Sequence, residues 1–254
     1  MSGPSRYDPA RYADRLAAIP AMALNYDPAE IHAEHAEADG WHLDEHAVDL
    51  PPEPPGPPLP LEASGASWHV ARTLVRDYAF PDPKIITGIF EPDGPLEGRP
   101  MLLRARFLFL RFWLPVRVAE VVDETRETGE GPARIWGYSY TTLEGHFEKG
   151  QIWFEVWKWT GTGRVAFRIF ARSKPETIRN PFVRVGFALF GRRLQLRFAH
   201  TALERMERFV REELAARAAA VPAAPREQPE VEPASHDPEA AARLAEAERE
   251  TGAA

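Results

Sequence analysis

The residues best suited to chemistry lie between positions 136 and 159, where one histidine stands among acidic and aromatic side chains. Glu144 and Glu148 flank His146, and Glu155 follows on the next predicted strand. Residues two apart share a strand face, so His146 and Glu148 are expected to point the same way. A carboxylate beside a histidine can orient the ring of a general base. His146, Glu148 and Glu155 are therefore the candidate catalytic residues.

The same histidine supports two other interpretations. A histidine with two carboxylates can also bind iron, manganese or zinc. Alternatively, Glu144, Gly145 and His146 form a turn held by backbone hydrogen bonds. The histidine-x-glutamate pattern of zinc deaminases requires later cysteines, and this chain contains none. We therefore predict neither a metal site nor a cofactor.

Aromatic residues alternate along the two strands that flank this turn. On the second strand Glu155 shares a face with tryptophans, Trp157 among them, and Arg168 or Arg172 could pair with it. The aromatic faces either line a cavity or fill a core. Tyr140, Thr142, Gly145 and His146 are expected to form one connected site, because Gly145 permits a sharp reversal of the chain. The predicted ligand-binding residues are Trp136, Tyr138, Tyr140, Thr142, Gly145, His146 and Trp157.

The surrounding pattern predicts the elements that position these residues. Apolar residues at helical spacing predict a helix over 67–79 with Ser67 as its N-cap, and a long helix over 193–219. Between them lie six segments with strand character and turn residues at their ends. Successive strands without intervening helices form an antiparallel meander. The strand segments are 84–90, 101–109, 113–124, 133–143, 151–160 and 165–173.

These elements predict an α+β fold in one domain over residues 41–218. A curved antiparallel sheet carries the long C-terminal helix across its concave face. Residues 1–40 are expected to be weakly ordered, with a short helix within 28–38. The proline-rich stretch 51–60 reads as a polyproline II connector. The acidic, Ala/Pro/Glu-rich tail 219–254 is expected to be disordered.

Composition and charge narrow the functional classes. The absence of cysteine excludes disulfides and thiol nucleophiles, and it fits a reducing cytoplasm. No apolar run is long enough for a transmembrane helix. Residues 66–225 hold 25 basic and 18 acidic residues, whereas the two ends are acidic. This basic excess is small and no nucleic-acid-binding motif is visible, so we expect no nucleic-acid partner.

The central block resembles DUF1990, a family of unknown function found in bacteria and plants. The resemblance rests on the motif Tyr140-x-Thr142-Leu143-x-Gly145-His146-x-Glu148-x-Gly150, followed by Ser173-x-Pro175. Flanking stretches, such as 24–30 and 180–187, resemble the actinobacterial branch. Gly150-Gln151-Ile152 departs from the glutamate pair that is usual after the central glycine. The strand order is similar to that of helix-grip proteins of the START and Bet v 1 type, which bind lipids and other apolar ligands.

Three functional hypotheses follow. The leading one is binding of an apolar small molecule or lipid in a cavity between the sheet and the C-terminal helix. The second is an enzyme that uses His146 and nearby carboxylates as acid and base. The third is an interaction module that acts through the acidic, proline-rich ends.

Overall fold

The protein is built around one seven-stranded antiparallel sheet. The computed structural model describes residues 12–32, 39–107, 110–176 and 181–220. Within these residues the strands are β1 (His42–Leu50), β2 (Ile86–Ile89), β3 (Pro100–Phe107), β4 (Leu110–Thr128), β5 (Gly131–Thr142), β6 (Glu148–Trp159) and β7 (Val165–Pro175). Their order across the sheet is β1-β7-β6-β5-β4-β3-β2. The six predicted strands therefore form the expected meander, and β1 pairs with β7 at its far edge.

Turn chemistry and one irregularity shape this sheet. Residues 161–163 connect β6 to β7, as their glycines predict. The pairing of β4 with β5 shifts between Val118 and Glu120, which marks a β-bulge or a similar irregularity. Such a bulge bends a strand and increases its twist, which favours a curved sheet. The predicted fold class, a curved antiparallel sheet with a long C-terminal helix, is confirmed.

Two helices cover the inner face of the sheet, where the main core lies. The shorter helix, α3 (Ser67–Arg76), buries Trp68, Val70, Ala71 and Val75. The longer helix, α4 (Pro181–Ala220), buries Ala202, Met206 and Val210 in the same core. These residues follow the apolar spacing that the sequence showed, because each stripe faces the sheet.

Two details of the predicted helices were wrong. The long helix begins at Pro181 rather than at residue 193, so the apolar stretch before Arg193 is part of it. Proline is favoured in the first turn of a helix, where its missing N–H costs nothing. Ser67 is the first helical residue rather than the N-cap, which is Ala66, and the Ala66 side chain makes no capping hydrogen bond.

The segment before β1 packs on the outer face of the sheet. It contains α1 (Ala13–Ala18), a 3₁₀ helix (Ile19–Ala21) and α2 (Pro28–His32). Within this segment Leu16 and Ile19 are buried against Ile89 and Leu143. Ile31 is buried in a second cluster with Trp41. Residues 1–11, 33–38 and 221–254 lie outside the described residues. The last of these ranges contains most of the tail that was predicted to be disordered.

The proline-rich stretch 51–60 is anchored to the sheet by a buried ion pair. Nζ of Lys158 donates to Oε2 of Glu53 over 2.7 Å, and neither side chain is exposed. The other oxygen of Glu53 accepts the backbone N–H of Trp68, at the start of α3, over 2.8 Å. This carboxylate therefore joins the connector, β6 and α3 at one point.

Candidate functional site

A pocket of about 280 Å³ lies between the inner face of the sheet and the middle of α4. Its walls come from all seven strands and from residues 191–199 of the helix. Apolar side chains form most of the lining. They include Ile85, Leu103, Leu114, Ile152, Ile169, Leu194 and Phe198.

The pocket remains open because several wall positions carry small residues. Under α3 the inner face is filled, and Tyr138 packs on Phe154 with ring centroids 5.9 Å apart. Under the middle of α4, six positions of the wall carry alanine, glycine or serine, whose side chains are small or absent. They are Ala105, Gly150, Ala171, Ser173, Gly191 and Ala199. Side chains this small do not fill the space between the curved sheet and the helix, so a cavity is left there.

Three of the predicted ligand-binding residues lie on the pocket wall: Tyr140, Thr142 and His146. Trp136 and Tyr138 share the inner face with Tyr140, as the alternation predicted, but they belong to the packed core. Arg72 of α3 covers the ring of Trp136, 4.9 Å from its centroid. These two aromatics are therefore placed in the core rather than on the pocket wall.

The turn between β5 and β6 places His146 at the pocket. Gly145 has φ +89°, a conformation that disfavours side chains, so the predicted reversal occurs at that residue. Gly145 itself is not part of the wall. After this reversal Nδ1 of His146 accepts the backbone N–H of Glu148 at 3.0 Å. Burial lowers the pKa of the His146 imidazole to about 4. The ring is thus neutral near pH 7. Its Nδ1 also lies 3.0 Å from the carbonyl oxygen of Glu148, and the tautomer of the ring decides which of the two backbone groups it bonds.

Glu148 lies beside His146 on the pocket wall, but its carboxylate does not orient the ring. The histidine contacts the backbone of Glu148, whereas Oε1 of that residue accepts Nε2 of Gln195 from α4. Burial raises the pKa of Glu148 to about 7. Within the described residues His146 makes no hydrogen bond to a carboxylate. The acid–base pair predicted from their spacing is therefore not formed.

Glu155, the third candidate catalytic residue, lies on the opposite face of the sheet. Its Oε2 accepts Nε1 of Trp157 over 2.7 Å, and burial raises the pKa of the carboxyl. The predicted arginine partners are engaged elsewhere: Arg168 pairs with Glu45, and Arg172 donates to the carbonyl of Ile31. Trp157 belongs to an outer cluster with Ile135 and Trp159, so it is remote from the pocket face. The alternation correctly predicted that Glu155 and Trp157 share a face, but that face is the outer one.

Two ion pairs also border the pocket. Nη2 of Arg192 on α4 donates to Oδ1 of Asp44 on β1 over 2.6 Å. This hydrogen bond lowers the pKa of Asp44, and it ties the helix to the edge of the sheet. Lys149 lies 3.4 Å from Oε2 of Glu176. Both basic side chains on the pocket wall therefore face a carboxylate.

Behind the wall, Asn25 fastens the N-terminal segment to the β5–β6 turn. Its Oδ1 accepts the hydroxyl of Thr142 over 2.7 Å, and its Nδ2 donates to the carbonyl of Glu148 over 2.8 Å. The same hydroxyl of Thr142 accepts the backbone N–H of Gly150 over 2.8 Å. Gly150 has φ +145°, and a Cβ there would lie 2.0 Å from the carbonyl oxygen of Arg172. Only glycine fits this position.

Two further features of the described residues bear on function. No group of three or more histidine, aspartate or glutamate side chains is arranged to hold a metal ion in that part of the chain. No helix there is both long and apolar enough to cross a membrane.

Comparison with known families matches residues 25–205 to the domain of unknown function DUF1990. The chain belongs to the DUF1990 family. The DUF1990 match contains every residue of the pocket wall, and it begins at Asn25, which fastens the turn. No curated protein gives a significant match.

The solved structures that are similar to this DUF1990 protein share little sequence with it. Norcoclaurine synthase from Thalictrum flavum, in complex with a transition-state analogue, is 13% identical, with a TM-score of 0.39 over 68% of this chain and 95% of the other. A hypothetical protein from Helicobacter pylori is 11% identical, with a TM-score of 0.42 over 74% and 96%. Human STARD10 is 9% identical, with a TM-score of 0.37 over 79% and 86%.

Sequence reasoning missed several residues of the site. Asp44, Arg192 and Gln195 were absent from the predicted set, although all three lie on the pocket wall. Their partners are far away along the chain, so no local pattern identifies them. Asn25 was within a stretch that resembles the family, and that resemblance was the available signal for it.

Proposed function

We propose that this DUF1990 protein binds an apolar small molecule or a single-chain lipid between the sheet and α4. The observation that carries the proposal is the pocket itself, which has apolar walls and a cluster of polar groups at the β5–β6 turn. Burial of apolar surface supplies the free energy of binding, and a few polar groups set the orientation of the ligand.

The size of the pocket narrows the class of ligand. Pockets for small molecules usually have volumes of roughly 300–1,000 Å³, and about 280 Å³ lies just below this range. A lipid with two long chains needs more room. A compact molecule or one short aliphatic chain matches the space beneath the helix.

The test is a calorimetric titration of the full chain with 1-octanol. Ala171→Phe places a ring on the pocket wall, and we expect it to weaken octanol binding by at least about tenfold. Ala47→Phe is the matched control, because Ala47 is exposed on β1 and lies outside the pocket, next to the pocket residue His46. Ala47 pairs with Arg168 of β7. The proposal fails if octanol does not bind, or if both variants lower its affinity equally.

A further inference from the structure

The polar end of the pocket has an unequal balance of charges. Two basic side chains on its wall, Arg192 and Lys149, each face a carboxylate, from Asp44 and Glu176 respectively. Glu148 is a further carboxyl group on the wall. Within the described residues it forms no ion pair, and its side-chain hydrogen-bond partner is the uncharged amide of Gln195. The charge of Arg192 also acts on Glu148, but that guanidinium is hydrogen-bonded to Asp44. A cation is therefore the group that this end of the pocket lacks.

We infer that the pocket takes an apolar molecule with one protonated amine, whose ammonium group hydrogen-bonds to the carboxylate of Glu148. This inference rests on the proposed function and names its ligand class. A hydrogen bond between an ammonium and a carboxylate is stronger than one between neutral groups. The aromatic residues Tyr140, Phe112 and Phe147 also line the pocket, and aromatic faces attract cations.

Ligands with other head groups match this end less well. An anionic carboxylate would meet Glu148 and Asp44, and it would have to displace Asp44 from Arg192 to find a cation. A neutral alcohol can hydrogen-bond to Glu148 but leaves its charge unbalanced. An amine alone supplies both a donor and the missing charge.

The inference also predicts how binding depends on pH. The pKa of Glu148 is raised to about 7 by burial, so ionisation between pH 6 and 8 favours a bound ammonium. The charges around it change little in that range. Arg192 and Asp44 pair with each other, and Lys149 faces Glu176. His146 has a pKa of about 4, and burial lowers the pKa of His46. A primary ammonium, like that of lysine, stays protonated through pH 8.

The experiment compares three probes that share an eight-carbon aliphatic chain and differ in head group: octylamine, 1-octanol and octanoate. Calorimetry on the full chain at pH 8 is expected to give octylamine an affinity roughly tenfold or more above that of octanol, with octanoate weakest. Glu148→Gln keeps the shape and the acceptor oxygen but removes the charge, so the preference should fall to within about twofold. Glu144→Gln is the matched control, because Glu144 is exposed on the same turn and outside the pocket. It should retain the full preference.

The wild-type protein provides a second measurement that needs no variant. From pH 6 to 8 the affinity for octylamine should rise by several-fold, while that for octanol should stay constant. Equal affinity for all three probes, tightest binding of octanoate, or a preference that survives in Glu148→Gln would overturn the inference and leave the proposed function intact. Failure of all three probes to bind would overturn both.

Discussion

The backbone N–H of Glu148 donates a hydrogen bond to Nδ1 of His146 over 3.0 Å, and both side chains lie on the pocket wall. Burial acts on their two pKa values in opposite directions. It raises the pKa of Glu148 from 4.5 to about 7, and it lowers the pKa of His146 from 6.5 to about 4. Both groups are thereby kept in their uncharged forms in mildly acidic solution.

This pair makes opposite contributions to the pH dependence of stability. The contribution of Glu148 is fully present below pH 4.5 and is lost as the pH rises to about 7, since the unfolded chain releases this proton earlier. The contribution of His146 is fully present above pH 6.5 and is lost as the pH falls to about 4, since the unfolded chain takes up the proton earlier. Over most of this window the two contributions offset each other.

Single variants should therefore expose slopes of opposite sign. On acidification from pH 7 to 4.5, Glu148→Gln should lose on the order of 2–3 kcal/mol of unfolding free energy relative to the wild type. His146→Asn, which keeps an acceptor near Nδ1, should gain a similar amount over the same range. Urea unfolding at several pH values measures both. If the two variants shift in the same direction, the assignment of these pKa values is wrong.

The role of His146 in ligand binding can be separated from its role in the turn. His146→Ala leaves the buried N–H of Glu148 without its acceptor, and we expect a cost of about 1–3 kcal/mol. His146→Asn should recover most of this loss. Octanol affinity is the second measurement for both variants. If His146→Ala lowers only the melting temperature and leaves octanol affinity unchanged, the residue is structural and the predicted site loses its central member.

The hydrogen bonds between Asn25 and Thr142 should couple the N-terminal segment to the turn. Asn25→Ala and Thr142→Val are each expected to cost about 1–3 kcal/mol, because each leaves buried polar groups unsatisfied. Their double variant should show a coupling energy of at least about 0.5 kcal/mol. Thr73→Val is the control, since the Thr73 hydroxyl bonds only to the exposed helix backbone. Strict additivity would show that the segment is not fastened through this contact.

The Glu53–Lys158 pair provides a test of burial. Lys158→Met removes one partner and leaves a carboxylate buried, so it should cost about 3–5 kcal/mol. Adding Glu53→Gln removes the remaining charge, and the double variant should be more stable than Lys158→Met alone. Arg211→Met breaks an exposed helical pair with Glu207 and should cost about 1 kcal/mol or less. Denaturant titration distinguishes these outcomes, and equal costs at the two sites would contradict the argument.

Local sequence patterns determined much of the fold. The alternation of apolar residues located β5 and β6, and it placed Trp136, Tyr138 and Tyr140 on one face. Gly145 marked the reversal between these strands, because its backbone lies at positive φ. These features follow from two-residue periodicity and turn chemistry, which act within a few positions of the chain.

The tertiary structure alone decided which face and which end of the sheet became the site. Alternation says that Trp157 and Glu155 share a face, but it does not say that this face lies away from the helices. The contacts that define the site join residues separated by 117 positions at Asn25–Thr142 and 148 at Asp44–Arg192. The pocket exists because small residues from distant strands meet under the middle of α4. Such a meeting depends on the curvature of the sheet and the path of the helix, which no local pattern contains.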